Sequence, residues 1–156
     1  MRKWLLMLVA AGLIFVSATL IVAQRPGELG LVDGALRRCA AGDACVNSQL
    51  GEGEQRIAPL YVGPNVEQAW QELLGLVRAN SSASLRVVES HYLRVEWVQA
   101  WLPYPNDLEF LRFDSGGLIH VRSAGRVGSF GLGGHLQLVE ELSKDLAEAM
   151  GSADGS

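Results

Sequence analysis

The hydrophobic pattern of this chain changes period twice, and each period predicts a different element. Residues 4–23 carry no charge at all and follow Arg2 and Lys3. At 1.5 Å per residue, a helix of twenty such residues spans about 30 Å, the thickness of a bilayer core. Further on, Val66, Ala69, Trp70, Leu73, Leu74 and Val77 recur at three-to-four spacing, the signature of a helix with one buried face. Pro64-Asn65 sets its start, and Asn80-Ser81-Ser82 its stop near Asn80. The period then shortens to two. Residues 85–89 form one short β-branched run. In residues 92–102, Leu93, Val95, Trp97 and Trp101 share one face, with Arg94 and Glu96 on the other. Past Trp97 the alternation blurs into Val98, Ala100 and Leu102, which predicts cover on both sides. A turn is expected over 103–107. Strands are expected over 108–113 and 118–123, joined by the hairpin loop Asp114-Ser115-Gly116-Gly117. A last helix over about 136–150 turns Leu138, Val139, Leu142 and Leu146 inward and Glu140, Glu141, Lys144 and Asp145 outward.

Helix, three or four antiparallel strands and helix make an α+β fold, a β-meander with helices on one face, preceded by one N-terminal transmembrane helix. The expected organisation is a signal anchor over 1–23, a Gly- and Pro-broken linker over 24–35, the α+β domain over 36–150, and a disordered small-polar tail over 151–156. Trp70, Trp97 and Trp101 are read as core, with an exposed binding platform as the alternative.

The apolar run exceeds the 7–15-residue core of a cleaved secretory signal, and a cut after Ala23 would put Ile21 where a small residue is wanted. An uncleaved anchor is therefore preferred, with cleavage near the Ser17-Ala18-Thr19 interruption as the alternative. Arg2 and Lys3 favour a cytoplasmic N-terminus, which sends the rest of the chain across the membrane.

Composition narrows the partners. Without Arg2 and Lys3 the outer part carries 13 − 2 = 11 basic and 17 acidic side chains, a net of −6. Such a domain lacks the basic footprint that nucleic-acid binding needs. The membrane, an envelope protein or a small anionic ligand remain as expected partners, and no cofactor is expected.

The only cysteines, Cys39 and Cys45, flank a small, flexible Ala-Ala-Gly-Asp-Ala loop. Outside the cytoplasm this spacing favours a structural disulfide. A redox dithiol would more commonly be Cys-x-x-Cys near a βαβ pattern, a nucleophilic thiol needs its partner reduced, and a zinc site would have to recruit the distant His91, His120 and His135; no metal site is expected.

One polar cluster has chemical potential. Residues 121–135 hold Arg122 and Arg126, Ser123 and Ser129, five glycines and a helix start. Glycines allow close backbone approach, and two arginines offer forked donors to a carboxylate or phosphate. The competing reading is that both arginines brace Asp107, Glu109 or Asp114. The face shared by Leu118, His120 and Arg122 is expected to be partly in water. Dinucleotide and Walker spacings are absent, as is a Gly-x-Ser-x-Gly elbow. Ser48, Ser123 or Ser129 with His91, His120 or His135 would serve a small hydrolase or transferase. No catalytic residue is assigned.

The segments Leu36-Arg37-Arg38-Cys39 and Cys45-Val46-Asn47-Ser48-Gln49, with Ile57-Ala58-Pro59-Leu60, Asp107-Leu108-Glu109-Phe110 and residues 119–128, resemble the family known as domain of unknown function 1499 over roughly residues 36–142. The resemblance implies an envelope-associated, non-cytoplasmic bacterial domain, with relatives in chloroplasts, and it supplies no established activity. The expectation is a bacterial inner-membrane protein with its C-terminal domain in the periplasm or exterior. It would act as a non-catalytic ligand- or protein-binding module through Arg122, Ser123, Arg126, Asn47, Ser48 and Gln49. A Ser/His hydrolase or transferase is the alternative, and a thiol-redox protein the third reading.

Overall fold

A computed structural model describes residues 2–23, 27–40, 42–61, 63–98, 105–126 and 131–153. The first helix, α1 (Arg2–Ala23), is long and apolar enough to cross a membrane, and none of its most apolar window, Arg2–Thr19, is buried against the rest of the chain.

The domain is α+β, as its periodicities predict. Strands β5 (Ala83–Val88), β6 (Tyr92–Trp97), β7 (Asn106–Phe113) and β8 (Leu118–Gly125) form an antiparallel meander. Two shorter strands, β3 (Cys45–Asn47) and β4 (Leu60–Tyr61), both pair with the outer edge of β8. At the opposite edge, β5 is interrupted by a bulge between Leu85 and Val87. A bulge of this kind twists a free edge away from unwanted pairing.

Helices α2 (Val66–Ala79) and α3 (Leu132–Ala153) cover one face. The six periodic positions of α2 are all buried, as are Leu138, Val139, Leu142 and Leu146 of α3. They pack on Val46, Leu93, Val95, Trp97, Leu108, Phe110, Ile119 and Val121. Trp70 and Trp97 lie in this core; Trp101 lies outside the described residues. Asn80 ends α2 in an extended conformation, and its side chain accepts a hydrogen bond from the Ser82 amide (2.9 Å), so the turn caps itself.

Several boundaries differ from expectation. Asn106 and Asp107, read as a turn, open β7, because both strand neighbours extend to meet them: Trp97 pairs with Asn106, and Gly125 with Asn106 from the other side. Helix α3 begins four residues earlier than expected and continues through Ala153, into the expected tail. Within the expected linker, Leu31–Val32 (β1) and Ala35–Leu36 (β2) form a hairpin. Its two-residue loop is Asp33-Gly34, both at positive φ (52° and 77°), the left-handed pair that tight hairpins demand. At the β7–β8 turn, Gly117 also has positive φ (60°), and a Cβ there would strike the Gly63 carbonyl oxygen.

Candidate functional site

The second face of the sheet is polar, and its central rows are covered rather than wet. Cross-strand register aligns Arg94 of β6, Glu109 of β7, Arg122 of β8 and Asn47 of β3 in one row. The next row holds Glu96, Asp107, Ala124 and Cys45. Residues 27–40 lie over these rows. The Gly30 amide donates to Glu109 Oε1 (2.6 Å), and Leu36 packs on Tyr92 and Leu111. Arg122 is consequently only 7% exposed, whereas Leu118 and His120 on the same face are partly exposed, so the expected partial hydration holds at the start of β8 and fails at Arg122. The reason is non-local: the cover comes from a segment some eighty residues earlier in the chain.

Glu109 is fully buried and collects three donors at 2.6 Å: the Gly30 amide, the Tyr92 hydroxyl and Arg122 Nη1. Burial, reinforced by the bond to Glu109, pushes the Tyr92 phenol well above its ordinary pKa. Arg126 forks onto Asp107, with Nε to Oδ2 at 2.7 Å and Nη2 to Oδ1 at 2.9 Å, and also reaches Glu96. These bonds raise the guanidinium pKa further above its ordinary range. For Glu96, burial opposes ionisation, yet the bonds from Arg126 and Arg86 hold its carboxyl below the ordinary value.

Between the polar rows and their cover lies a cavity of about 620 Å³. Its floor is Asp107, Arg122, Ala124 and Gly125; its walls are Cys45 and residues 27–29, 35–38 and 43–44. That volume falls within the range of small-molecule sites. The Cys39–Cys45 disulfide closes the loop that forms one wall. Asn47 ties the same wall inward through Nδ2 to the Arg37 carbonyl (2.9 Å), while its Oδ1 accepts from the Gln49 amide (2.8 Å). Gln49 Oε1 in turn accepts from the Leu36 amide (2.7 Å). Arg122 gives Glu109 only Nη1. Its Nε is buried without a partner, and Nη2 makes no hydrogen bond among the described residues.

The sequence-derived cluster is thus divided. Arg122 lines the cavity, and Asn47 and Gln49 hold its wall. Arg126 is committed to acids behind the floor. Ser123 points to the opposite face, where Oγ meets His135 Nδ1 (2.7 Å) beneath α3. Burial, with some repulsion from Arg122, lowers the His135 pKa to about 4, so the imidazole is neutral. Ser48 Oγ accepts from the Val121 amide (2.9 Å) and touches His120 Nδ1 (3.2 Å). Burial lowers the His120 pKa, and among the described residues no carboxylate orients that ring. Ser129 lies outside the described residues. Three Ser–His contacts therefore exist among the described residues. Ser123–His135 is sealed from substrate, and Ser48–His120 lacks a third member to orient its base. Ser90–His91 (Oγ to Nδ1, 2.9 Å), with Asp114 3.3 Å from Nε2, is exposed at the β5–β6 turn, away from the cavity. Sequence reading named Glu109 only as a bracing partner, and it did not place Tyr92, Gly30 or the 27–38 cover at the site. The visible signal was the strict alternation of Asp107 and Glu109 with Leu108 and Phe110, opposite the arginines of the neighbouring strands.

Fold and site together define a disulfide-stapled α+β domain with a covered polar sheet face, carried behind an apolar N-terminal helix. The chain belongs to the family of proteins of unknown function DUF1499, whose model matches residues 35–146. No curated protein and no solved structure matches it.

Proposed function

We propose that this chain is a single-pass bacterial envelope protein, anchored by α1, whose outer domain binds a small anionic ligand in the cavity without transforming it. The observation that carries the reading is Arg122, a largely buried guanidinium that lines a cavity of ligand size and whose Nη2 makes no hydrogen bond among the described residues. Nη2, unlike the enclosed Nε, is accessible, and a charge-assisted hydrogen bond from it to a ligand oxygen is worth about 1.5–3 kcal/mol. A disulfide in the wall fits an oxidising compartment, and the two positive charges before α1 favour export of the domain behind it.

The test is purification of the full-length protein in mild detergent, followed by mass spectrometry of the molecules that stay bound and by melting with a panel of carboxylates and phosphates. A retained or stabilising anion is expected, with binding lost in Arg122→Lys, which keeps the charge facing Glu109 but loses the fork. No retained anion and no melting shift with any panel member would overturn the reading. An alkaline phosphatase fused after Ser156 should be active in an exporting bacterium; an inactive fusion would reverse the topology.

A further inference from the structure

We propose that the cavity takes the phosphodiester headgroup of a lipid from the same bilayer that α1 enters, an inference that rests on the anchored, ligand-binding reading above. The covalent reach is short. From Ala23, the last residue of α1, to Gly27, the first residue lining the cavity, there are four Cα–Cα steps, at most about 14 Å. The headgroup layer of one leaflet is itself about 5–8 Å deep. A helix ending at the hydrocarbon edge therefore holds the cavity's cover in the headgroups or within about 10 Å of them, where a lipid headgroup is the most concentrated phosphate available.

The cover is shaped for that surface. Val32 both lines the cavity and is 42% exposed, and its neighbour Leu31 is 40% exposed. Two apolar side chains on a hairpin eight residues beyond the helix suit the interface between headgroups and acyl chains.

The charges of the lining sort in the same direction. Glu28 is paired with Arg37 (3.0 Å), and Asp107 with Arg126 (2.7 Å). Arg38, Asp43 and Nη2 of Arg122 are left without side-chain partners among the described residues. Two arginines suit phosphate oxygens. The single uncommitted acid, Asp43, suits the ammonium of a zwitterionic headgroup.

The test uses the full-length protein in maltoside micelles and native mass spectrometry with three probes: dioleoylphosphatidylethanolamine, dioleoylglycerol and soluble glycerophosphoethanolamine. The phospholipid should be retained and the diacylglycerol not. Arg38→Ala, at an exposed residue whose loss leaves the fold intact, should weaken phospholipid retention about tenfold, the loss of one charge-assisted contact. Arg122→Lys should weaken it at least as much. Equal retention of diacylglycerol would overturn the proposal. So would glycerophosphoethanolamine binding as tightly as the lipid and weakening in the same variants; that result leaves the cavity as an anion site with a soluble ligand. If neither variant changes any probe, the lipid proposal and the anion-binding reading both fall.

Discussion

Phe110 and Glu109 are neighbours on β7, both fully buried, and they face opposite sides of the same sheet. Phe110 enters a core assembled by two amphipathic helices. Glu109 enters a polar layer closed by Tyr92, Arg122 and the Gly30 amide. At these two residues the faces are equally dry but differently held. The apolar face is stabilised by area removed from water, in proportion and without direction. The polar face is stabilised only while each charge keeps its partners, because desolvation of an ion pair offsets most of its attraction. One side tolerates local repacking; the other is all-or-none, which is what a binding floor with fixed donors requires.

The largest effects should come from breaking each face at these two residues. Phe110→Ala should cost about 3–5 kcal/mol by denaturant unfolding, from lost burial plus the cavity left behind. Glu109→Gln should cost a similar amount, about 3–5 kcal/mol, since it leaves Arg122 buried and uncompensated. The double variant Glu109→Leu, Arg122→Met separates the mechanisms. It should recover most of the Glu109→Gln loss, while ligand binding stays absent. A double variant no more stable than Glu109→Gln would mean that the polar layer contributes net stability beyond the mutual compensation of its charges.

The faces should also part in acid. His135 sits on the helix side with a pKa of about 4, against an ordinary value near 6.5. The unfolded chain therefore binds the extra proton first, and stability present above pH 6.5 declines as pH falls from 6.5 towards 4. The full loss is on the order of 3 kcal/mol. Glu96, on the polar side, has its carboxyl held down by Arg126 and Arg86 once the opposing effect of burial is overcome. Its contribution is complete above the ordinary carboxylate pKa and fades only below it, as pH falls through the lowered folded value. His135→Gln should thus flatten the stability profile between pH 6.5 and 4.5 and leave the steeper acid limb. An unchanged profile would show that His135 is not the group titrating in that range.

Which face was legible in the sequence depends on the range of the interactions that build it. Helix α2 was readable because Val66 through Val77 declare one stripe within twelve residues, and the β7–β8 hairpin because its loop is four residues of turn chemistry. The polar face depends on contacts between residue 30 and residue 109, or 47 and 122, whose separation leaves no local period. Strands β3 and β4 are three and two residues long, too short for alternation to register. The β1–β2 hairpin carried a local signal, Asp33-Gly34 between apolar pairs, which the glycine-rich setting disguised as linker. Acidic residues alternating with apolar ones on β7 pointed to solvent by default. Only the 27–40 cover makes them interior.

The smallest expected effect probes that cover directly. The Cys39–Cys45 bridge closes a loop with a sequence separation of six, so in the chain-entropy model its loss should cost about 2 kcal/mol. Its position matters more than its size. Cys45 lies in β3 against β8, and the loop it closes runs from the end of the cover, so the bridge fastens the cover to the sheet edge alongside the Asn47–Arg37 and Gln49–Leu36 bonds. No residue of either helix shares these ties. Replacing both cysteines with serine should raise amide hydrogen exchange across residues 27–40 and weaken anion binding, while α2, β6 and β7 keep their protection. If exchange instead rises uniformly, the bridge stabilises the domain as a whole and the two faces open together. If it rises nowhere, the side-chain bonds of Asn47 and Gln49 hold the cover alone, and the cavity does not depend on the redox state of its wall.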